Sequence, residues 1–438
     1  MTVRPFTIEP SRDPLRWCAG LTAVFLIIVL HRLGLPSKPM FDEIHYLPAA
    51  RNMLALSSRL NPEHPLLGKE MIATGMGLVG DNAWGWRLPS ALLGTLGLFA
   101  AMRALWWASL SRQATLLFGV FLATDFVWFM ISRIAMLDMA MAAMLAVAFW
   151  QWALAWRIGA DRPARARLHL ALAGVFLGLS LSAKWNGIPL VVTPGLLFAA
   201  QRWIALKGRR AQLLTARDAG PVPGVSLLEA AFWLGSVPLL VYFASFAPMF
   251  FYKVQPMTLG GMLEFQRYML QLQDSVVKPH HYMSQWWQWV FNLRPIWFFY
   301  EQSDGAQRGV LMLGNPFSML AALPAVLLCL WDGIRRNGSL WQLRGGVALF
   351  YALSLVFWAL NGKPVQFYYH YMLASTFAMA ALALVLGEWW DLAIRWPGKI
   401  ALAMSVGMFV WFYPIISAAI LHDGRNSFET YTWLDSWR

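Results

Sequence analysis

Two carboxylates stand side by side in Phe41-Asp42-Glu43-Ile44-His45-Tyr46, just after the first long apolar run of the chain. Charged groups at the edge of a hydrocarbon layer are costly unless they are solvated or used. One reading is an acidic helix N-terminus, where the peptide dipoles favour negative charge. The other is a reactive pair. Asn61-Pro62-Glu63-His64-Pro65-Leu66-Leu67-Gly68-Lys69 follows, then Gly80-Asp81-Asn82-Ala83-Trp84-Gly85-Trp86-Arg87. Proline and glycine shape this loop, and His64 and Lys69 are candidate ligands for an anionic group. Polar residues also interrupt later apolar runs, at Ser132-Arg133, Leu137-Asp138, Lys184-Trp185-Asn186-Gly187 and Asn361-Gly362-Lys363. An Arg or Lys at membrane depth costs on the order of 3 kcal/mol and marks a functional site by default, with snorkelling at a helix end as the competing explanation.

The elements that carry these residues are hydrophobic helices. Of 438 residues, 58% are hydrophobic and 13% charged, where a soluble domain carries about 25% charged residues. A spanning helix takes roughly 20 apolar residues, so ten or eleven would use about half the chain. The apolar runs place spans near 17–34, 86–108, 114–131, 136–156, 168–183, 186–205, 228–250, 310–331, 346–361, 368–388 and 399–420. The first lacks a small-residue cleavage site and reads as a retained helix. Cys18 and Cys329 both fall inside spans, so neither a disulfide framework nor a metal knuckle is expected. The whole chain, 1–438, reads as one polytopic membrane domain.

The net charge of +13 is spread over short loops instead of being gathered into a nucleic-acid-binding patch. Arg4, Arg12 and Arg16 precede the first span. Arg157, Arg162, Arg165 and Arg167 share one loop, Lys207, Arg209, Arg210 and Arg217 a second, and Arg335, Arg336 and Arg344 a third. These alternate onto one face, which the positive-inside rule makes cytoplasmic. The N-terminus is then inside and the tail Asp423–Arg438 outside. Two long connections, 36–85 and 252–309, fall on the outer side, and their mixture of Trp, Tyr, His and charges predicts folded loops with interfacial helices.

On this topology Asp42, Glu43, Lys69, Arg133, Lys184 and Lys363 all lie at the outer ends of spans. Basic residues there run against the positive-inside bias, so topology does not account for them. Cations facing carboxylates on one side of a membrane suit an anionic substrate embedded in the bilayer, such as a polyprenyl phosphate.

At these residues the chain resembles the bacterial branch of the protein O-mannosyltransferase family, within the membrane glycosyltransferases that use polyprenyl-phosphate sugars. The likeness runs through Phe41–Tyr46, His64–Lys69, Gly80-Asp81-Asn82, Ser132–Asp138, Lys184–Gly187, His281-Tyr282-Met283-Ser284 with Trp287 and Trp289, Arg294-Pro295, Leu313–Pro316 and Tyr369-His370-Tyr371. Leu66 stands where the family usually has a second proline. Lys363 stands where an arginine is common, keeping the charge but losing the planar fork. The β-trefoil domain of eukaryotic members is missing, which leaves the acceptor open.

The resemblance implies an all-α, GT-C-type membrane fold and transfer of a sugar, mannose foremost, from a polyprenyl phosphate to a hydroxyl of an exported protein. A lipid phosphate leaves without a protonating acid once its charge is neutralised, so one base suffices where a hydrolase needs two carboxylates. Asp42 is the expected base in an inverting displacement, and Glu43 its catalytic neighbour, better placed to orient it. Arg133, Lys184 and Lys363 are expected on the phosphate, with Lys69 and Arg294. His64, His281, Tyr282, Trp287 and His370 are expected to contact substrate, although an aromatic belt explains Tyr282 and Trp287 equally well. Asp42, Glu43 and His45 make a poor Mg²⁺ cage, so no metal or other cofactor is expected. Expected partners are polyprenyl-phosphate mannose, an exported polypeptide or lipid acceptor and membrane lipids, with secretion machinery or a dimer partner left open. The expected location is a bacterial inner membrane with the site facing the periplasm. Two other readings compete: transfer of aminoarabinose or another sugar to lipid A or a glycolipid, and a lipid-linked-sugar transporter, which should carry internal repeats and polar residues near the midplane.

Overall fold

The structure, a computed structural model, describes residues 13–159, 161–275, 277–335, 338–422 and 427–438. Arg4, Arg12, Arg336 and the start of the expected outer tail, 423–426, lie outside the described residues. In chain order the helices are α1 (Leu15–Leu30), α2 (Glu43–Leu54), α3 (Leu67–Val79), α4 (Ala83–Ser109), α5 (Arg112–Ala123), α6 (Phe126–Ile131), α7 (Leu137–Ile158), α8 (Pro163–Ala183), α9 (Ile188–Ala205), α10 (Leu227–Ala231), α11 (Val237–Ala244), α12 (Gly261–Ser275) and α13 (Trp286–Val290). Strands β1 (Ile296–Ser303) and β2 (Ala306–Met312) follow. After them come α14 (Pro316–Arg335), α15 (Ser339–Leu360), α16 (Met372–Asp391), α17 (Trp396–Ile416) and the short β3 (Ile420–Leu421).

Nine helices among the described residues are long and apolar enough to cross a membrane. Two of the eleven expected spans correspond to shorter apolar helices, Leu15–Leu30 and Arg112–Ala123. The expected span 114–131 breaks at Thr124-Asp125. Asp125 caps α6 through Val127 N–H and accepts from Ser375 Oγ at 2.8 Å, and the Thr124 carbonyl accepts from Asn315 Nδ2 at 3.0 Å. Partners from α16 and the α14 N-terminus thus replace the helical bonds lost at the break.

The second outer connection departs from the all-α expectation. Asp304-Gly305, both at positive φ, turn β1 into β2 as an antiparallel hairpin, and β3 adds to β2 through Gln307 and Arg308. An Asp-Gly pair between apolar-rich runs is a hairpin signal, here hidden by Val310–Leu313 reading as the start of a span. The helix begins instead at Pro316. The hairpin buttresses the first outer loop: Glu301 accepts from Lys38 Nζ at 2.9 Å, Asp304 accepts from Ser37 N–H at 3.0 Å, and Phe298 stacks on Phe41 with centroids 5.1 Å apart.

The bundle core is α7, packed on α4 and α8. Close approach there depends on missing side chains. A Cβ on Gly97 of α4 would stand 3.1 Å from Ala143 Cα in α7, and one on Gly94 would stand 2.1 Å from Ser132 Oγ in the α6–α7 connection. At the end of the bundle opposite Asp42, arginines tie helix ends together. Arg103 bonds Asp13 at 2.5 Å, Arg157 bonds the carbonyls of Trp107 and Ala108, and Arg344 pairs with Asp332 and Glu388. α12 lies in the second outer connection and is held along one face. Gln266 accepts from the Tyr242 hydroxyl at 2.5 Å, and Gln273 reaches the first outer loop.

Candidate active site

Glu43 is fully buried and its two oxygens are saturated. Oε1 accepts from Arg87 Nε and Ala135 N–H, and Oε2 from Arg87 Nη2 and Met40 N–H, all at 2.8–2.9 Å. Arg87, also fully buried, spends its remaining donors on the carbonyls of Leu33, Pro36 and Lys38. The guanidinium thus uses all five N–H groups. It gathers the turn after α1, the start of α2 and the α6–α7 connection into one fixed corner. Glu43 has no lone pair left for a substrate proton, so its expected catalytic part is corrected to a positioning one.

Asp42, the residue before it, is half-buried at the mouth of the corner. Its Oδ2 accepts from Tyr369 at 3.3 Å and more loosely from Tyr46 at 3.5 Å, while Oδ1 carries no bond among the described residues. Burial pushes the Asp42 carboxyl above the usual carboxylate range, Lys184 pulls it back, and Asp138 pushes it up. Behind it Lys184, the C-cap of α8, donates to Asp138 Oδ2 at 2.7 Å, and its ammonium lies 5.1 Å from the Tyr369 ring centroid. Asp138, Asn186, Trp358, Tyr369 and His370 line a narrow cleft together with Met141, Leu190 and Leu373. The lining mixes polar and apolar side chains between helices, which suits the junction of a charged head and an apolar chain.

The other expected site residues divide. His64 and Lys363 join the group through Gln273, and burial holds the Lys363 ammonium below its usual range, with Lys184 adding to the effect. His370 lines the cleft, stacked on Trp358 at 3.8 Å, with Nδ1 accepting from Phe367 N–H. Tyr282 packs beside His280, whose ring meets Phe41 edge-on at 5.8 Å, which brings that segment to the rim.

Four assignments change. Arg133, expected on the phosphate, caps the C-terminus of α1 through the carbonyls of Val29, His31 and Arg32, because those carbonyls have no helical partner. Lys69 is buried and donates to the carbonyls of Asn61 and His64, pinning the loop; burial brings its pKa down to about 7. Arg294, expected on the phosphate, donates to the carbonyl of exposed His281. Trp287 is exposed and bonds Gln285, two residues away. Sequence reasoning missed Arg87, Tyr46, Asp138, Tyr369 and Gln273 as site residues. An arginine at the second position of the expected span 86–108 was the available signal for Arg87.

The Glu43–Arg87 pair makes a prediction. Removing one partner of a buried pair costs about 3–5 kcal/mol, because the other charge is left unsatisfied. Glu43→Gln and Arg87→Ala should each lower the melting temperature of the purified protein and abolish activity together with folding. A Glu43→Gln protein with unchanged melting and no activity would return Glu43 to the chemistry.

Two family profiles cover most of the chain. One described as dolichyl-phosphate-mannose-protein mannosyltransferase matches residues 78–252, and one described as the C-terminal four-transmembrane region of protein O-mannosyltransferase matches 258–437. The polyprenol-phosphate-mannose–protein mannosyltransferase of Mycolicibacterium smegmatis is 26% identical, over 99% of this chain and 96% of its own. Its counterpart in Corynebacterium glutamicum is 25% identical over the same shares. Among solved structures, the Saccharomyces cerevisiae protein O-mannosyltransferase Pmt1–Pmt2 complex bound to the sugar donor superposes with a TM-score of 0.82 at 14% identity, over 99% of this chain and 93% of that one. ArnT of Cupriavidus metallidurans bound to undecaprenyl phosphate superposes at 0.59 and 15% identity, over 96% and 78%. The fold is that of the multi-spanning GT-C membrane glycosyltransferases. Within that class, the chain belongs to the protein O-mannosyltransferase family.

Proposed function

We propose that this enzyme transfers mannose from a polyprenyl phosphate to serine and threonine hydroxyls of exported polypeptides, by a single displacement that inverts the anomeric carbon. The observation that carries the reading is the arrangement of Asp42: one oxygen is steadied by two phenols and the other is unbonded among the described residues, while Tyr369 joins Asp42 to the Lys184 ammonium and to the adjoining cleft. Oδ1 takes the proton of the acceptor hydroxyl as its oxygen attacks the anomeric carbon. The bond to the lipid phosphate breaks on the opposite face. Negative charge grows on the departing phosphate, where Lys184, with Lys363 beyond it, strengthens its interaction as the bond lengthens. The names of the bacterial relatives support the donor and the acceptor class, and the higher TM-score to the Pmt1–Pmt2 fold than to ArnT favours this fold variant.

The site faces the non-cytoplasmic side of a bacterial inner membrane. Arg157, Arg162, Arg165, Arg167, Lys207, Arg209, Arg210, Arg217, Arg335 and Arg344 sit at the bundle end opposite Asp42, and the positive-inside rule makes that end cytoplasmic. The two outer loops, 36–85 and 252–309, serve as the parts of one domain that shape the site. Transfer runs without a metal, because both carboxylates near Asp42 are engaged: Glu43 is spent on Arg87 and its neighbours, and Asp138 is paired with Lys184. Activity should therefore persist undiminished in excess EDTA; loss on chelation, restored by Mg²⁺ or Mn²⁺, would contradict this. The direct test is purified protein in nanodiscs with radiolabelled polyprenyl-phosphate mannose and a Ser/Thr-rich peptide, with a glycolipid acceptor in parallel. Label on the peptide is expected. Label on the glycolipid alone would make the protein a lipid-modifying transferase.

A further inference from the structure

Gln273, near the end of α12, touches three groups with one amide. Its Oε1 accepts from Lys363 Nζ at 2.9 Å. Its Nε2 donates to the Glu63 carbonyl at 2.7 Å and lies 3.2 Å from His64 Nδ1. An ammonium can only donate and a carbonyl can only accept, so both outer contacts require the same orientation of the amide. His64 Nδ1 therefore faces an N–H and must offer its lone pair. A protonated Nδ1 would set two donors against each other, which excludes both the imidazolium and the Nδ1–H tautomer. The remaining proton is on Nε2. That nitrogen has no hydrogen-bond partner among the described residues, and the ring lies edge-on to Tyr46 at 6.0 Å, the residue whose hydroxyl approaches Asp42.

The surroundings agree with a neutral ring. Lys69 donates to the carbonyl of His64 itself, Lys363 stands one amide away, and the charges of Lys184 and His45 also bear on the imidazole. Glu63, the neighbouring carboxylate, is engaged by Asn61 Nδ2 at 2.5 Å. Burial and these cations hold His64 well below the usual histidine range.

We propose that Gln273 is a positioning residue that fixes His64 as its Nε2–H tautomer, so that this nitrogen donates to a sugar or phosphate oxygen of the bound donor. The inference deepens the proposed transfer reaction and rests on it for the identity of the ligand. It also gives α12 a part in the site: the relay Lys363–Gln273–His64 joins the second outer loop to the first.

The test uses the full-length protein in nanodiscs and reads the His64 ring by ¹⁵N NMR, with His64→Gln assigning the signal. Wild type should show a neutral ring protonated at Nε2. Gln273→Glu keeps an acceptor for Lys363 but turns the group facing His64 into an acceptor, so the proton should move to Nδ1 or the ring should become charged. Partners that orient a ligating histidine change affinity by about 10–100-fold at metal sites. A KM increase for polyprenyl-phosphate mannose of that order is expected in Gln273→Glu, with little change in kcat. Binding of polyprenyl phosphate without sugar separates the two oxygens. Weakening in the variant assigns the contact to phosphate, and weakening only of the mannosylated lipid assigns it to the sugar. A wild-type ring protonated at Nδ1 overturns the proposal, and so does unchanged binding of both lipids in the variant. Should no transfer to any acceptor be found, the NMR and lipid-binding measurements still decide this inference apart from the proposed reaction.

Discussion

Asp42→Asn is expected to lower kcat by roughly 10²–10⁴-fold, the usual contribution of a positioned general base, while leaving the protein folded. Asparagine keeps the shape of the side chain and can still accept from Tyr369 and Tyr46, so the corner made by Glu43 and Arg87 is undisturbed. Stability should be unchanged or slightly higher. Burial raises the Asp42 pKa in the folded protein, so its ionised form opposes folding once the pH is above the unfolded value, and the neutral amide removes that cost. The same shift sets the pH dependence. The base must be ionised, so kcat/KM should fall as pH drops through a limb lying above the ordinary aspartate value of about 3.9. Asp42→Asn should abolish that limb in whatever residual rate survives. A variant that keeps the wild-type rate and acid limb would remove Asp42 from the chemistry.

The second large effect is expected at Lys184. Losing one preorganised group that faces developing charge typically costs about 10²–10³-fold in kcat, and Lys184→Gln should fall in that range. This variant also strands the buried Asp138 carboxylate, whose Oδ2 accepts from Lys184 at 2.7 Å. The single change should therefore lower the melting temperature as well. Lys184→Gln with Asp138→Asn separates the two consequences: the pair is neutral, stability should return, and activity should remain low. Recovery of both in the double variant would reduce Lys184 to a structural partner of Asp138 and leave the donor phosphate to Lys363.

The helices were legible because their apolar runs are long and the charges between them alternate, both local properties of the chain. The acidic pair at Asp42-Glu43 was legible for the same reason, since charge beside a span stands out. That Glu43 is better placed to orient than to share the proton was also legible, but its partners were not: Arg87, 44 residues away, and the Ala135 amide converge on it. Arg133 shows the reverse case: a cation at a span end carries the signature of a ligand, yet the carbonyls it satisfies belong to a helix that ends a hundred residues earlier. The β1–β2 hairpin was missed although Asp304-Gly305 signalled it, because β2 runs into residues apolar enough to count as membrane. Gln273 gave no signal at all, since a neutral amide on an amphipathic helix is ordinary until its three partners are seen.

The account turns on one carboxylate acting as a base and on Glu43 being unavailable as a nucleophile. The most direct test is the anomeric configuration of the product. Mannosylated peptide made by the purified enzyme from a donor of known anomer should be analysed by NMR. Inversion relative to the lipid-linked sugar is the predicted result, because a single displacement delivers the hydroxyl opposite the departing phosphate. Retention would require a covalent glycosyl-enzyme and a second reacting carboxylate, and would contradict the account.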